Sequence, residues 1–354
     1  MLHEFYLNKK VLITGHTGFK GSWLALWLKQ LGASVHGLAL EPLSSNDHFV
    51  ATGLESHIQH SVTDIRDLGC LKEQLAGIQP EIVFHLAAQP IVLDSYTDPI
   101  LTYETNAMGT ANLLEAVRSV ESVKSIVVIT TDKCYENREW DYAYRENDAL
   151  GGHDPYSSSK AAAEIIAQSY YRSFFKDKNM GLATARAGNV IGGGDWQEHR
   201  LIPDLMRAHR NDTVLQIRNP KSVRPWQHVL EPLYGYLSLG QTLFEAPVQK
   251  SGAYNFGPAA EASVQVDQVM DIAARKLKTL SLVYDKNGQR GHEAKLLLLD
   301  SSKAARQLSW RTHLTLEQTI GLTIDWYQAQ FNDGDLFALS CEQIRQYEEL
   351  VNND

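Results

Sequence analysis

Apolar residues along the chain switch between short unbroken runs and helical spacing, and that switching sets the first expectation. Val11-Leu12-Ile13-Thr14 is a short run that ends at a glycine turn, so it reads as a strand. Beyond the turn, Trp23, Leu24, Trp27, Leu28 and Leu31 fall at helical spacing, on one face of a helix. Val35-His36-Gly37-Leu38-Ala39 supplies the next strand and completes a βαβ unit. The same alternation predicts strands over 58–62, 82–86, 125–130 and 182–187, with helices over 68–75, 99–120 and 155–175. Strands that alternate with helices pair in parallel, because each helix returns the chain to the edge where the next strand begins. The expected fold class is therefore α/β, a Rossmann-type doubly wound parallel sheet.

After Val190 the regularity weakens. Gly192-Gly193-Gly194-Asp195 reads as a loop, and Asn219-Pro220 and Arg224-Pro225 punctuate the stretch beyond it. A smaller, interleaved substrate-binding lobe is expected there. The predicted division is a Rossmann domain over 1–188, to which 229–260 returns through Ala253-Tyr254-Asn255-Phe256, and a second lobe over 189–228 and 261–354. No internal repeat or low-complexity tract interrupts this plan.

Composition narrows the function classes. With 44% hydrophobic and 21% charged residues over 354 positions, the chain has enough apolar material for a large core, which argues against disorder. No run of 18 or more apolar residues suggests a membrane span, and the first ten residues lack a signal peptide's apolar centre, so a cytoplasmic protein is expected. A net charge of -9 opposes nonspecific nucleic-acid binding, which needs many phosphates neutralised by Lys and Arg. A small anionic substrate stays compatible with a local cation cluster, for which Arg200, Arg218 and Arg224 are candidates. Cys70, Cys134 and Cys341 are far apart and show no metal-ligand spacing, so neither a disulfide framework nor a metal site is expected.

Two motifs carry chemistry. Gly15-His16-Thr17-Gly18-Phe19-Lys20-Gly21 spaces three glycines between a predicted strand and helix, where a tight turn, a close backbone approach to pyrophosphate and helix–strand packing each favour glycine. The unpaired N–H groups at the helix start then suit phosphate. Glu41 lies near the place of a ribose-binding acid, and no Arg directly follows the second strand, so NAD is expected over NADP. Tyr156 and Lys160 stand four apart on a predicted helix, where a lysine cation favours the phenolate and so a base able to accept a hydroxyl proton. A lone Tyr-x-x-x-Lys is commonplace, but this one follows the strand that ends at Thr130-Thr131-Asp132-Lys133, and ligands of open parallel sheets bind at such strand ends.

Taken together, Thr14 to Gly21, Leu86-Ala87-Ala88, Asn106, Thr131-Asp132 and Tyr156-Ser157-Ser158-Ser159-Lys160 resemble the extended short-chain dehydrogenase/reductases. Asn189-Val190-Ile191-Gly192, Arg200 and Arg224-Pro225-Trp226-Gln227-His228-Val229 resemble that family's nucleotide-sugar lobe. Thr131-Asp132-Lys133-Cys134-Tyr135 resembles the branch that removes water from CDP-glucose across C5 and C6. The resemblance implies NAD held by Gly15, Thr17, Gly18, Phe19, Gly21, Asp64, Ile65, Leu86, Ala87, Ala88, Asn106, Tyr156 and Lys160. It implies Tyr156 as the base at the C4 hydroxyl, Lys160 as the group that lowers its pKa, Thr131 as a hydrogen-bond partner near C4, and Asp132 as the acid at the C6 hydroxyl. Asn189, Arg200, Arg224, Trp226 and His292 would bind the nucleotide sugar. Trp226 could equally be core.

One position departs from related sugar-nucleotide dehydratases, which carry Glu directly after this Asp and use it to remove the C5 proton. Here the residue is Lys133, either a base after deprotonation, a stabiliser of the enolate, or an ion-pair partner of Asp132. A 4-epimerase of the same fold and a nonenzymatic NAD-binding regulator are the competing readings. An epimerase has no use for an acid at C6, and a regulator has none for Tyr156 and Lys160. By analogy the helices over 99–120 and 155–175 would pair in a homodimer or homotetramer, with Tyr170, Tyr171, Phe174 and Phe175 as apolar surface or as core.

Overall fold

The computed structural model describes residues 2–217, 219–258, 263–277, 281–284 and 297–353. Its centre is one parallel sheet. We label its strands β1 (Lys10–Thr14), β2 (Ser34–Ala39), β3 (Gln59–Val62), β4 (Ile82–His85), β5 (Ser125–Ile129), β6 (Gly181–Ala187) and β7 (Gly252–Phe256). The order across the sheet is β7-β6-β5-β4-β1-β2-β3, and every neighbouring pair runs parallel. The chain moves outward from β1 to β3, then returns to lay β4 on the other side of β1. That reversal opens a crevice at the carboxyl ends of β1 and β4, where ligands of such sheets bind.

Period-two alternation explains how the strands hold both faces. Val11, Ile13, Ile82, Phe84, Val127 and Ile129 join one apolar cluster, whereas Leu12, Val83, Ile126 and Val128 join another on the opposite face. The first cluster also takes Trp23 and Trp27 from helix α1 (Phe19–Gln30), together with Leu205, Val269, Ile324 and Tyr347 from the second half of the chain. One core thus runs through both halves. The last helix, Leu336–Asn353, packs on α1, where Trp27 Nε1 donates to Glu348 Oε1 at 2.7 Å.

Two predicted helices are interrupted by π turns. The stretch expected over 99–120 forms Pro99–Tyr103, a π turn over Glu104–Met108 and helix α2 (Gly109–Val117). Helix α3 (Pro155–Tyr170) starts with Pro155, is capped by Asp154 through Ser157 N–H, and passes into a π turn over Tyr171–Phe175. Phe175 is fully buried, while Phe174 is exposed. In the second half, Val190–Ile191 pairs with Gln227–His228, Val223–Pro225 with Ser263–Gln265, and Leu215–Ile217 with Leu282–Tyr284. Among the described residues no helix is long and apolar enough to cross a membrane.

Candidate active site

A cavity of about 1260 Å³ opens at the carboxyl ends of the strands and extends from the glycine turn to Leu215, Ile217 and Arg224. Its floor is the turn between β1 and α1. Gly15 has a φ of +79°, and a methyl group on it would lie 2.6 Å from Ala87 N. One on Gly21 would stand 2.1 Å from the Gly15 carbonyl oxygen. Gly18 is different: its nearest such neighbour is 3.4 Å away, so its lack of a side chain leaves open space at the start of α1. Gly18 also provides no side-chain cap, leaving the first N–H groups of α1 for another acceptor. The tight turn at Gly15, the close packing at Gly21 and the room at Gly18 suit a dinucleotide pyrophosphate.

The walls on this side come from neighbouring strand ends. Leu86, Ala87 and Ala88 after β4, with Asp64 and Ile65 after β3, line the cavity, as do Thr17, Phe19 and Glu41. Thr17 Oγ1 donates to the Leu40 carbonyl at 3.0 Å, which ties the glycine turn to the chain leaving β2. Arg66 grips the Asp64 carboxylate, with Nη2 2.6 Å from Oδ2, and holds that acid below its usual range. Asn106 does not line the cavity. It stands behind the wall in the π turn, accepting from Gln89 N at 2.8 Å and donating to Ser159 Oγ at 2.9 Å. In that position it fastens the loop after β4 to helix α3.

At the centre, β5 delivers Thr131, Asp132 and Lys133 opposite Tyr156 and Lys160 of α3. A single turn of 3₁₀ helix over Asp132–Cys134, capped by the Thr131 hydroxyl, turns these side chains toward the helix. Thr131 Oγ1 donates to Asp132 Oδ1 at 2.9 Å, and Lys133 Nζ lies 3.6 Å from the same oxygen. Asp132 and Lys160 are buried, whereas the Lys133 side chain is partly exposed.

Burial pushes the Tyr156 phenol above its ordinary value, and the leading opposing influence is Lys133, followed by the Thr131 hydroxyl. Burial also pulls Lys160 down to about 8, partly offset by Glu164. Its Nζ donates to the Ile129 carbonyl at 3.4 Å. Sequence reasoning does not single out Lys20. This residue lines the same cavity, and burial together with the charge of Arg200 lowers its pKa to about 8. Lys20 is hidden in the sequence because its position in the glycine turn suggests only spacing, while its placement beside Asp132 and Arg200 is a tertiary fact.

On the far wall, Asn189, Arg200, Arg224 and Trp226 all line the cavity. Arg200 is anchored by buried Asp195, Nη1 to Oδ2 at 2.8 Å, an acid whose sequence context suggests only a loop. The Arg224 guanidinium donates through Nη1 to the Val223 carbonyl at 3.0 Å. Trp226 is only 7% exposed and belongs to the main core, so its bulk shapes the wall from within. His292 and Arg218 lie outside the described residues.

A doubly wound sheet with a three-glycine turn at its switch point, and a Tyr-x-x-x-Lys helix beside that turn, defines an extended short-chain dehydrogenase/reductase. More narrowly, the chain belongs to the GDP-mannose 4,6 dehydratase family, which its residues 12–323 match. It is 46% identical over 354 residues to the CDP-glucose 4,6-dehydratase of Salmonella typhimurium, covering 97% of each chain. It is 27% identical to the dTDP-glucose 4,6-dehydratase of Shigella flexneri, over 91% of this chain and 94% of that one. Among solved structures, the epimerase Mth375 of Methanothermobacter thermautotrophicus superposes with a TM-score of 0.82 at 25% identity, over 94% of this chain and 95% of that one.

Proposed function

We propose that the protein is an NAD-dependent hydro-lyase that converts CDP-glucose to CDP-4-dehydro-6-deoxyglucose. The observation that carries this reading is the convergence of Asp132, Lys133 and Tyr156 on one cavity whose floor is the dinucleotide cradle. Extensive identity to a CDP-glucose 4,6-dehydratase supports the cytidine nucleotide over others. NAD would be held by the Gly15–Gly21 turn, with Asp64, Ile65, Leu86, Ala87 and Ala88 around it and Asn106 bracing the wall. When bound, it supplies a hydride acceptor that is restored within each turnover, so the net redox change is zero.

The chain's own residues handle protons. Tyr156 accepts the proton of the C4 hydroxyl, assisted by Thr131, and Lys160 keeps positive charge behind the phenolate. Asp132 protonates the departing C6 hydroxyl, and Lys133 serves the C5 step, either as a neutral amine that takes the proton or as a cation that stabilises the enolate. The ion pair between them, 3.6 Å from Lys133 Nζ to Asp132 Oδ1, supports the reading of Lys133 as a partner of Asp132 and places both side chains at the same part of the cavity. Arg200 and Arg224 suit the substrate diphosphate and Asn189 its sugar, with Trp226 backing the wall.

The test is mass spectrometry of purified protein with NAD, offered CDP-glucose, UDP-glucose, dTDP-glucose and GDP-mannose separately. Loss of one water from CDP-glucose alone is expected. Isomerisation at constant mass would favour an epimerase instead. A cytoplasmic location goes with this reading, and a homodimer or homotetramer is supported by Ile100, Tyr103, Met108, Ile165 and Phe174, which expose apolar surface along the 99–117 and 155–175 helices.

A further inference from the structure

Lys160 and Glu164 stand one turn apart on the same face of α3, and both are buried. Three donors converge on the Glu164 carboxylate: Thr130 Oγ1 at 2.5 Å, Thr184 Oγ1 at 2.7 Å and Arg186 Nη2 at 2.7 Å. Thr130 immediately precedes Thr131, Asp132 and Lys133, while Thr184 and Arg186 belong to β6. Arg186 is held in turn, its Nη1 donating to Tyr135 Oη at 2.7 Å and to the Glu146 carbonyl at 3.2 Å. The Tyr135 hydroxyl then donates to Asn255 Oδ1 of β7 at 2.7 Å. One buried network thus joins α3, the end of β5, β6 and β7.

Stability is a weak explanation for such a pair. Desolvating two charges costs several kcal/mol, and an apolar pair of similar volume is often as stable. The neighbours offer a better one. Facing Lys160 are Tyr156 and Glu164 on its own helix, Cys134 beyond β5, His85 at the end of β4, and Lys20 on α1. Burial keeps His85 neutral and pushes the Cys134 thiol and the Tyr156 phenol up, while Lys20 is a second cation. Glu164 is the anion acting on Lys160 from its own helix, while Asp132 acts on Lys20 and Cys134.

We propose that Glu164 is a positioning residue for the reaction, offsetting the buried Lys160 ammonium from one helical turn away while its bonds to Thr130 and Arg186 fix the Thr130–Lys133 turn. Its catalytic part rests on the dehydratase reading above. With Glu164→Gln, the side chain keeps its shape and one acceptor oxygen but loses the charge. That change leaves Arg186 buried and unpaired, so the double variant Glu164→Gln/Arg186→Met provides a second, balanced background.

Two measurements test the proposal. In competitive acetylation across pH, with peptide mass spectrometry comparing Lys160 with surface lysines, the Lys160 midpoint should fall by about one unit in Glu164→Gln and by less in the double variant, where loss of the Arg186 cation offsets part of the change. The alkaline limb of kcat/KM for CDP-glucose should move the same way, whereas a purely structural role would lower kcat evenly at every pH. An unmoved Lys160 midpoint in both variants overturns the proposal, and so does a moved midpoint with an unmoved alkaline limb. Because the labelling needs no substrate, failure of the wild-type protein to dehydrate CDP-glucose would count against the functional reading and leave the assignment of charge intact.

Discussion

Lys133 Nζ lies 3.6 Å from Asp132 Oδ1, and the Thr131 hydroxyl donates to that same oxygen at 2.9 Å. The other carboxylate oxygen faces Gly188, where an added methyl group would come within 3.1 Å of it. One oxygen is thus shared by Thr131 and Lys133, and the other points toward the cavity-lining end of β6. Asp132→Asn removes the acid and leaves oxidation at C4 possible. Elimination should slow by roughly 10²–10⁴-fold, the usual worth of a positioned acid or base. Reduced cofactor should then accumulate during turnover, which its absorbance reports. If Lys133 is the C5 base, Lys133→Met should instead leave CDP-glucose recovered from deuterated solvent without deuterium at C5.

Tyr156 is buried, and burial raises its pKa. The proton it must accept therefore depends on charge brought close to it, with Lys133 the strongest cation already there. Tyr156→Phe should cut turnover by about 10²–10⁴-fold. Unlike Asp132→Asn, it should do so with no build-up of reduced cofactor, since the step lost is the first. Unchanged turnover would remove Tyr156 from the chemistry.

Much of this architecture was legible because burial on both faces writes itself into sequence. Ser125–Ile129 is wholly buried and reads as an apolar run, whereas Gly181–Ala187, equally buried, carries Thr184 and Arg186, which find their partner in Glu164. The strand pairs of the second half are only two or three residues long, too short for any period to show. The π turn at Glu104–Met108 was illegible for another reason, since Asn106 stabilises it through contacts with Gln89 and Ser159 that sequence spacing does not reveal. In the site, Tyr156 and Lys160 were visible because four-residue spacing on a helix is a local property. Lys20 and the Asp195–Arg200 pair were not, because their meaning comes from elements brought together only by folding. Trp226 could not be decided from sequence, and it does line the cavity while belonging to the core.

The glycine turn makes a sharper prediction about the cofactor. A methyl group on Gly21 would sit 2.1 Å from the Gly15 carbonyl oxygen, so α1 must move away from β1 to accept it. Gly21→Ala should leave a folded protein of lower melting temperature that NAD no longer stabilises. In the wild-type protein, NAD at a hundred times its Kd should add about 2.7 kcal/mol of stability. A thermal shift with NAD in the variant equal to that of the wild type would show that the turn is not the cofactor site.

Glu231 gives the fold a pH dependence separate from catalysis. It is buried at the start of helix Leu230–Glu245, where Oε1 accepts from His313 N at 2.8 Å and Leu314 N at 2.7 Å, and Oε2 accepts from the Tyr347 hydroxyl at 2.7 Å. Burial raises its pKa from 4.5 to about 7, because these donors only partly replace the lost water. The folded state therefore holds this proton more tightly than the unfolded chain. Its contribution is fully present below pH 4.5 and is lost as pH rises through about 7, a change of roughly 3 kcal/mol at 1.36 kcal/mol per unit. Buried His48, His85 and His228, all lowered to about 3, act in the opposite sense, since the unfolded chain takes up their protons as pH falls below 6.5. The wild-type curve alone would mix these effects. Subtracting the denaturation free energies of Glu231→Gln from those of the wild type isolates the carboxyl: between pH 5 and pH 8 the variant should gain relative stability. A flat difference curve would mean that Glu231 ionises in the folded protein as readily as in the unfolded one.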